Sequence, residues 1–443
     1  MTPNLELIRE YVEALRQVRD TFGLADDIST MGVAQMPDAL SIDKEEPDNE
    51  AVQQQVLEVV GQALEEYDAM RRAEGARLCQ DIVQRAGRIG QLVDHVEQRS
   101  PQTVEEYRKR ISARMQELLG PLGVALRPHY KSHKSTAIAH LQIEAGAKGI
   151  TCAKVGEAED LALAGIDDIL IANQVTEKSR IARCAWLAAG CRLTVCVDEE
   201  QNIWDLEQAV AFQGSTIHCL VEYEVGMGRC GVTTPAECEK LARAIEKCPH
   251  LTFDGIQAYA GHLSHEISLE VRRTQAEKIE QELKQLKQYL ESRGIPVKEV
   301  SGASTGTVEL RRQGTVYTEV QAGSYLFLDA TYQQLGLRFE NSLTVLATVI
   351  STRPDLVVTD AGVKCIGVDQ GDPQCPALPG AAVNMSEEHS AFALPGHDLQ
   401  VGDRVQLIPG HCCTTMNLND WFYFVRDGKV LDRLPVTSRG KSR

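Results

Sequence analysis

Apolar residues in the first part of the chain recur at helical spacing. Leu5, Ile8, Val12 and Leu15 predict a helix over residues 4–22. An acidic, proline-containing loop follows at Ser41-Ile42-Asp43-Lys44-Glu45-Glu46-Pro47. Residues 50–97 then carry a long amphipathic pattern through Val56, Val59, Val60, Leu64, Met70, Leu78, Ile82, Ile89 and Leu92. Ser100-Pro101 is expected to break this helix, and Thr103 to cap a further one running to Leu119. Long helices with little else suggest a helical hairpin or an oligomerisation element. From Val124 the period changes. Short β-rich runs at 124–131, 149–154, 168–173, 193–197, 217–222, 253–259, 297–301 and 318–321 alternate with helical stretches, the clearest being 269–293. Eight strand–helix units over roughly 200 residues predict a (β/α)₈ barrel, with a doubly wound open sheet as the competing architecture. Beyond residue 335 the helical pattern stops. Runs at 343–350, 356–359 and 404–408 predict a compact β-domain. The expected fold is therefore α/β: an all-α segment over 1–120, a barrel over 121–335 and a β-domain over 336–443.

Composition narrows this picture. The 443 residues are 43% hydrophobic and 25% charged, which is ordinary for a globular chain. The net charge of −17 argues against nucleic acid as a partner, because phosphate contact needs a positive field. Arg71 and Arg72 read as a solvated helix face. The thirteen cysteines are irregularly spaced, and residues 1–20 carry acids and bases throughout, unlike a secretory leader. Reduced thiols and a cytoplasmic location are expected. No apolar run approaches the ~18 residues that span a bilayer, so no membrane partner is expected.

Candidate chemistry begins at Arg127-Pro128-His129-Tyr130-Lys131-Ser132-His133-Lys134, after the apolar run 123–126. A lysine at the end of a buried strand, among cationic neighbours, is disfavoured as an ammonium and keeps a lone pair for a carbonyl. Pyridoxal phosphate is the usual partner of such an amine. A basic surface turn fits these eight residues equally well. Lys131 and His133 are the candidate catalytic residues. Loops at the carboxyl ends of later strands hold Arg229, then Gln257 and Tyr259, then Ser301 with Thr305, Gly306 and Thr307, then Gly323, Ser324 and Tyr325. Small residues with hydroxyls after strands seven and eight suit a phosphate. His411 and Cys413 stand two apart, on one side of an extended segment, and imidazole plus thiolate suits zinc. Taken alone, that pair reads first as a core histidine beside buried cysteines.

Together these residues resemble the pyridoxal-phosphate enzymes of the D-threonine aldolase and D-serine dehydratase-like family, the fold-type III, alanine-racemase-like class. The resemblance spans 123–440. It rests on RPHYKSHK, GMGRCGV, GIQAY, SGASTGT, EVQAGSY and PGHCCTTMNLNDWFYFVRDG. It implies Lys131 as the Schiff-base lysine and Arg229 against the cofactor ring. It places Thr305, Gly306, Thr307, Gly323, Ser324 and Tyr325 around the phosphate. It gives His411 and Cys413 a divalent metal that grips a 3-hydroxyl, zinc first, with manganese or magnesium as alternatives. Two departures stand out. The family's phosphate loop has glycines where this chain has Ala303 and Ser304, so a positive φ there would be strained. The short strand that opens family members is also absent. Residues 1–120 instead resemble the helical middle of the YicC-like endoribonucleases, through Met70-Arg-Arg-Ala-Glu-Gly-Ala-Arg-Leu and Pro101-Gln-Thr-Val-Glu-Glu-Tyr-Arg-Lys-Arg. Nuclease activity is not carried over, because that family's two ends are missing.

The resemblance implies a lyase acting on a small D-amino acid. Retro-aldol cleavage of the D-threonine or D-3-hydroxyaspartate type leads. Dehydration of D-serine or 3-hydroxyaspartate at the same site is the alternative, and a fusion with an RNA-related helical segment and impaired lyase activity is the third. A monomer or homodimer is expected.

Overall fold

The computed structural model describes residues 1–42, 49–120 and 122–442. Residues 43–47 of the expected acidic loop lie outside the described residues. Two compact units divide the chain, 1–96 and 97–443.

In the first unit, helix Leu5–Phe22 starts at Asn4, whose side chain accepts the Leu7 N–H, and stops at Gly23 in the left-handed region (φ 63°). Strands Thr2–Pro3 and Leu40–Ser41 pair antiparallel. The long helix is one element of 71 residues, Asn49–Leu119, whose last part belongs to the second unit. This corrects the expected break at Ser100-Pro101, and Thr103 lies inside the helix instead of capping a new one. A proline deletes a single N–H donor, and the bonds of flanking turns carry the helix across that gap. The apolar stripe does not form a core of its own: Val56, Leu64 and Ile82 are 55, 62 and 64% exposed.

The second unit holds eight parallel strands: β1 Ala125–Leu126, β2 Ile150–Cys152, β3 Asp168–Gln174, β4 Arg192–Val197, β5 Ile217–Glu222, β6 Leu251–Ala258, β7 Glu299–Gly302 and β8 Glu319–Val320. Their order is β1-β8-β7-β6-β5-β4-β3-β2. The two ends meet through the parallel bridge of His129 with Thr151 and the bond from Lys148 N–H to Leu126 O (2.9 Å), which closes a barrel. An open doubly wound sheet is thereby excluded. Alternation along each strand divides its residues between two cores. Ile169, Ile171, Leu193, Val195, Val197, Ile217, Cys219 and Val221 face the surrounding helices. Leu170, Cys196 and Leu220 form a separate inner cluster.

Below that inner cluster the barrel is ionic. Arg127, 3% exposed, pairs with Glu319 (2.9 Å) and Asp168 (2.8 Å), and Lys148 reaches Glu319 at 2.9 Å. Glu319 is 2% exposed and stays ionised. Burial pushes its pKa up, but Arg127 and Lys148 outweigh burial and hold it below the ordinary glutamate value.

The expected strand at 124–131 ends at Leu126. Pro128 has no N–H for a ladder, and the chain turns into a one-turn 3₁₀ helix, Tyr130–Ser132. The β-domain has a five-stranded antiparallel sheet, in the order Ala382–Met385, Ser390–Ala393, Leu356–Thr359, Val345–Arg353, Arg404–Leu407. A hairpin, Trp421–Arg426 with Lys429–Pro435, turns at Asp427 and Gly428, both at positive φ (48° and 71°). Helices do not vanish after residue 335 as expected. Cys412–Leu418 is helical, because Asp329 accepts the otherwise orphaned Cys412 N–H at 2.9 Å.

Replacing Arg127 with methionine leaves Glu319 buried without its main partner. Chemical denaturation should show a loss of about 3–5 kcal/mol.

Candidate active site

Lys131 sits on the 3₁₀ turn that follows β1. It is half-buried and makes no ion pair among the described residues. Its Nζ lies 5.3 Å from the Tyr259 ring centre, and the Arg229 guanidinium carbon lies 5.9 Å from the same ring. Tyr259, just past β6, thus stands beside the amine and the guanidinium together. Arg229 is half-exposed and only loosely paired, 3.8 Å from Glu222. Lys131 N–H donates to His129 Nδ1 at 3.3 Å. Burial, reinforced by the Lys131 charge, keeps His129 neutral, well below its ordinary value.

His133 has a different setting from the one expected. Ser135 N–H donates to its Nδ1 (3.2 Å), and its Nε2 bonds Gln142 Oε1 (3.1 Å). Both nitrogens are committed, so His133 supports the turn and offers no nitrogen to a reacting group. Burial depresses it to about 4 against the opposing hydrogen bonds. Gln142 Nε2 donates onward to Tyr325 OH (3.1 Å), and Tyr325 N–H donates to Thr305 Oγ1 (3.0 Å). The lysine turn and the hydroxyl-rich loop are therefore one hydrogen-bonded unit.

That loop bends at Ala303, whose φ is 58°. The anticipated strain falls on this alanine, while Ser304 is extended (φ −143°). Thr305, Gly306 and Thr307 form a single helical turn after it, with Ser304 N–H donating to Thr307 Oγ1 at 3.1 Å. From β8, Gly323 approaches so closely that a Cβ would lie 2.3 Å from Ser132 Oγ. Ser324 and Tyr325 follow, both buried. Gln257 and Ser301 face the barrel interior. Gln321 Nε2 donates to Gln257 Oε1 (2.6 Å) and Ser301 Oγ (2.7 Å), and Ser301 Oγ donates to Glu319 (2.6 Å).

His411 and Cys413 come together, though not along an extended strand. His411 is the N-cap of helix Cys412–Leu418, and Cys413 lies in its first turn. His411 Nδ1 bonds Asp369 Oδ2 at 2.7 Å, and its ring is also hydrogen-bonded to Cys413. Burial opposes its charge, but the Cys413 and Asp369 partners raise it to about 9. The Cys413 thiol is driven well below its ordinary value, first by its hydrogen bond with Cys412 and then by His411, against burial. A thiolate, and a carboxylate-oriented imidazole once it releases its second ring proton, are suitable metal donors. Among the described residues no third His, Cys, Asp or Glu completes a metal-sized cluster. Cys413 Sγ lies 3.7 Å from Ser132 Oγ and 4.0 Å from Ser324 Oγ, so the pair borders both the lysine turn and the β8 loop.

Two residues absent from the sequence reading belong here. Asp369 is separated from His411 by 42 positions, and spacing gives no sign of it. His265 packs edge-on to Tyr332 (4.8 Å) and lies 6.2 Å from the His411 ring. Its Nε2 is buried with no hydrogen-bond partner among the described residues. That orphaned nitrogen, the unpaired Lys131 amine and the Asp369-oriented histidine are the features expected where a carbonyl cofactor and a cation bind. The residues present fit both groups.

Ala303→Gly should raise stability by about 1 kcal/mol in chemical denaturation, because glycine adopts a positive φ without the Cβ clash. His133 predicts an acid limb. Its folded pKa of about 4 lies below the unfolded value near 6.5, so the unfolded chain takes up the proton first. Stability is complete above pH ~6.5 and falls by up to about 3 kcal/mol toward pH ~4. Melting followed against pH should show this slope, reduced in His133→Asn.

Three family models match in succession: "Endoribonuclease YicC-like, N-terminal region" over residues 1–80, "Alanine racemase, N-terminal domain" over 107–331 and "Putative serine dehydratase domain" over 342–425. The chain is 40% identical over 332 residues to the 3-hydroxy-D-aspartate aldolase of Paracoccus denitrificans, covering 72% of this chain and 86% of that protein. It is 29% identical to the D-threo-3-hydroxyaspartate dehydratase of Delftia, covering 69 and 88%. Among solved structures it resembles the D-threonine aldolase of Filomicrobium marinum, with a TM-score of 0.72 and 34% identity, over 76% of this chain and 94% of that one. The chain therefore belongs to the lyase family of the D-threonine and 3-hydroxy-D-aspartate aldolases, in which an alanine-racemase-type barrel that suits pyridoxal phosphate precedes a serine-dehydratase-type β-domain.

Proposed function

We propose that this protein cleaves D-3-hydroxy-amino acids of the D-threonine and D-3-hydroxyaspartate type between Cα and Cβ, releasing glycine and an aldehyde, with pyridoxal phosphate on Lys131 and a divalent metal at His411 and Cys413. The observation that carries this reading is the meeting of an unpaired lysine turn with a His–thiolate pair, Cys413 Sγ lying 3.7 Å from Ser132 Oγ. Arg229, Gln257, Tyr259, Ser301, Thr305, Gly306, Thr307, Gly323, Ser324 and Tyr325 would hold the cofactor with Lys131. When bound, the cofactor supplies an electron sink for the carbanion, and the metal supplies a Lewis acid for the 3-hydroxyl.

The chain's own groups divide the remaining work. Lys131 brings an amine with no competing ion pair among the described residues. Tyr259 and Arg229 border the space in front of it. Burial holds His265 below its ordinary value, so a neutral imidazole whose Nε2 has no partner among the described residues is available to take the hydroxyl proton. Asp369 fixes the His411 ring through Nδ1. The same site supports a second reading, in which Lys131 takes the Cα proton and the hydroxyl leaves, giving a dehydratase. The likeness to the Delftia dehydratase favours it.

Product analysis separates the two. Glycine and aldehyde from D-threonine or D-3-hydroxyaspartate support the aldolase, whereas a 2-oxo acid and ammonia from D-serine or 3-hydroxyaspartate support the dehydratase. Lys131→Ala should reduce turnover by at least about a thousandfold. Chelation should abolish turnover and an added divalent ion restore it. Turnover that survives both the Lys131 substitution and chelation would sink the proposal.

A further inference from the structure

We propose that residues 436–441 form a strap that positions the lysine turn, with Ser438 as the residue through which it acts on Lys131. This rests on the reading of Lys131 as the cofactor lysine. Ser438 is fully buried. Its hydroxyl bonds the Tyr130 phenol at 2.8 Å and Asp160 Oδ2 at 2.7 Å. Burial raises the Tyr130 phenol, so it stays protonated and is the donor. The Asp160 carboxylate can only accept, so the single Ser438 proton goes to it and the Tyr130 hydroxyl donates to Ser438 Oγ. Tyr130 precedes Lys131 directly and shares its 3₁₀ turn.

The strap also grips the far side of that turn. Ser438 N–H donates to Lys134 O at 3.0 Å, and Thr136 N–H donates to Thr437 Oγ1 at 3.3 Å. Lys134 has a φ of 49°, in the left-handed region that a side chain resists. Such a conformation persists only where the surroundings over-determine it. Here the Ser438 N–H holds the Lys134 carbonyl, and Glu157 holds its ammonium at 2.6 Å. Val436 anchors the strap in the same apolar cluster as Tyr325 and Cys412. These bonds therefore bracket Lys131 on both sides, and none of them reaches a reacting group. Ser438 is thus a positioning residue.

The test uses the full-length protein with Ser438→Ala, Tyr130→Phe, the double variant, the hydroxyl-retaining Ser438→Thr, and Arg439→Ala as a control on an exposed neighbouring ion pair. Amide hydrogen exchange is followed across the chain, together with pyridoxal phosphate affinity and borohydride trapping on Lys131. Exchange at residues 129–136 should rise roughly three- to tenfold in Tyr130→Phe, the worth of one neutral hydrogen bond, and at least as much in Ser438→Ala, which also loses the bond to Asp160. Cofactor affinity should fall by a similar factor. The double variant should match Ser438→Ala, Ser438→Thr should restore the turn, and Arg439→Ala should leave it unchanged. Unchanged exchange at 129–136, a uniform rise over the whole barrel, or additive single effects would overturn the strap. Failure of the unsubstituted protein to trap the cofactor on Lys131 would overturn the functional reading instead, and the exchange pattern would still decide the strap.

Discussion

The buried charge of Arg127 is the constraint on which the rest of the second unit depends. A guanidinium 3% exposed is tolerable only with its carboxylates in place, and Glu319 and Asp168 come from β8 and β3, on either side of the closure. β1 is only two residues long, so its ladder alone is a weak seal. The ion cluster fixes the strand from below, and the lysine turn springs from its upper end. Stability at the foot of the barrel and chemistry at its mouth are thus linked through five residues of chain.

Above that seal, close backbone approach assembles the site. Gly323 lets the β8 loop press on Ser132 where any Cβ would collide. Gly410 and Gly371 do the same in the β-domain, where a Cβ on Gly410 would lie 1.7 Å from Gly371 O. That contact brings residues 367–371 against 410–415 and sets Asp369 beside His411. Asp329 then ties the barrel to the metal-candidate turn by accepting the Cys412 N–H. The barrel and the β-domain therefore meet through backbone groups and a buried carboxylate.

The long N-terminal helix follows other physics. A helix of 71 residues is long enough to hold its own hydrogen bonds, yet its apolar residues between 52 and 89 stay exposed. No helix among the described residues is long and apolar enough to cross a membrane. The candidate chemistry lies entirely between residues 129 and 413.

Much of the fold was legible locally. Buried parallel strands read as unbroken apolar runs, so Asp168–Gln174, Arg192–Val197 and Ile217–Glu222 appear at the expected places. The strain at Ala303 was legible too, because only glycine takes a positive φ freely and the chain lacks one there. The continuity of the long helix across Pro101 was not, since propensity weighs one lost bond without the turns that flank it. The residues that govern side-chain state were equally hidden. His133 is committed by Gln142, His411 is oriented by Asp369, and Tyr130 is held by Ser438 across 308 positions. Sequence determined which residue types stand at the strand ends, because backbone period and glycine placement are local properties. Tertiary structure alone decided which of them are paired and which are left free to react, because hydrogen bonds and burial join groups far apart along the chain.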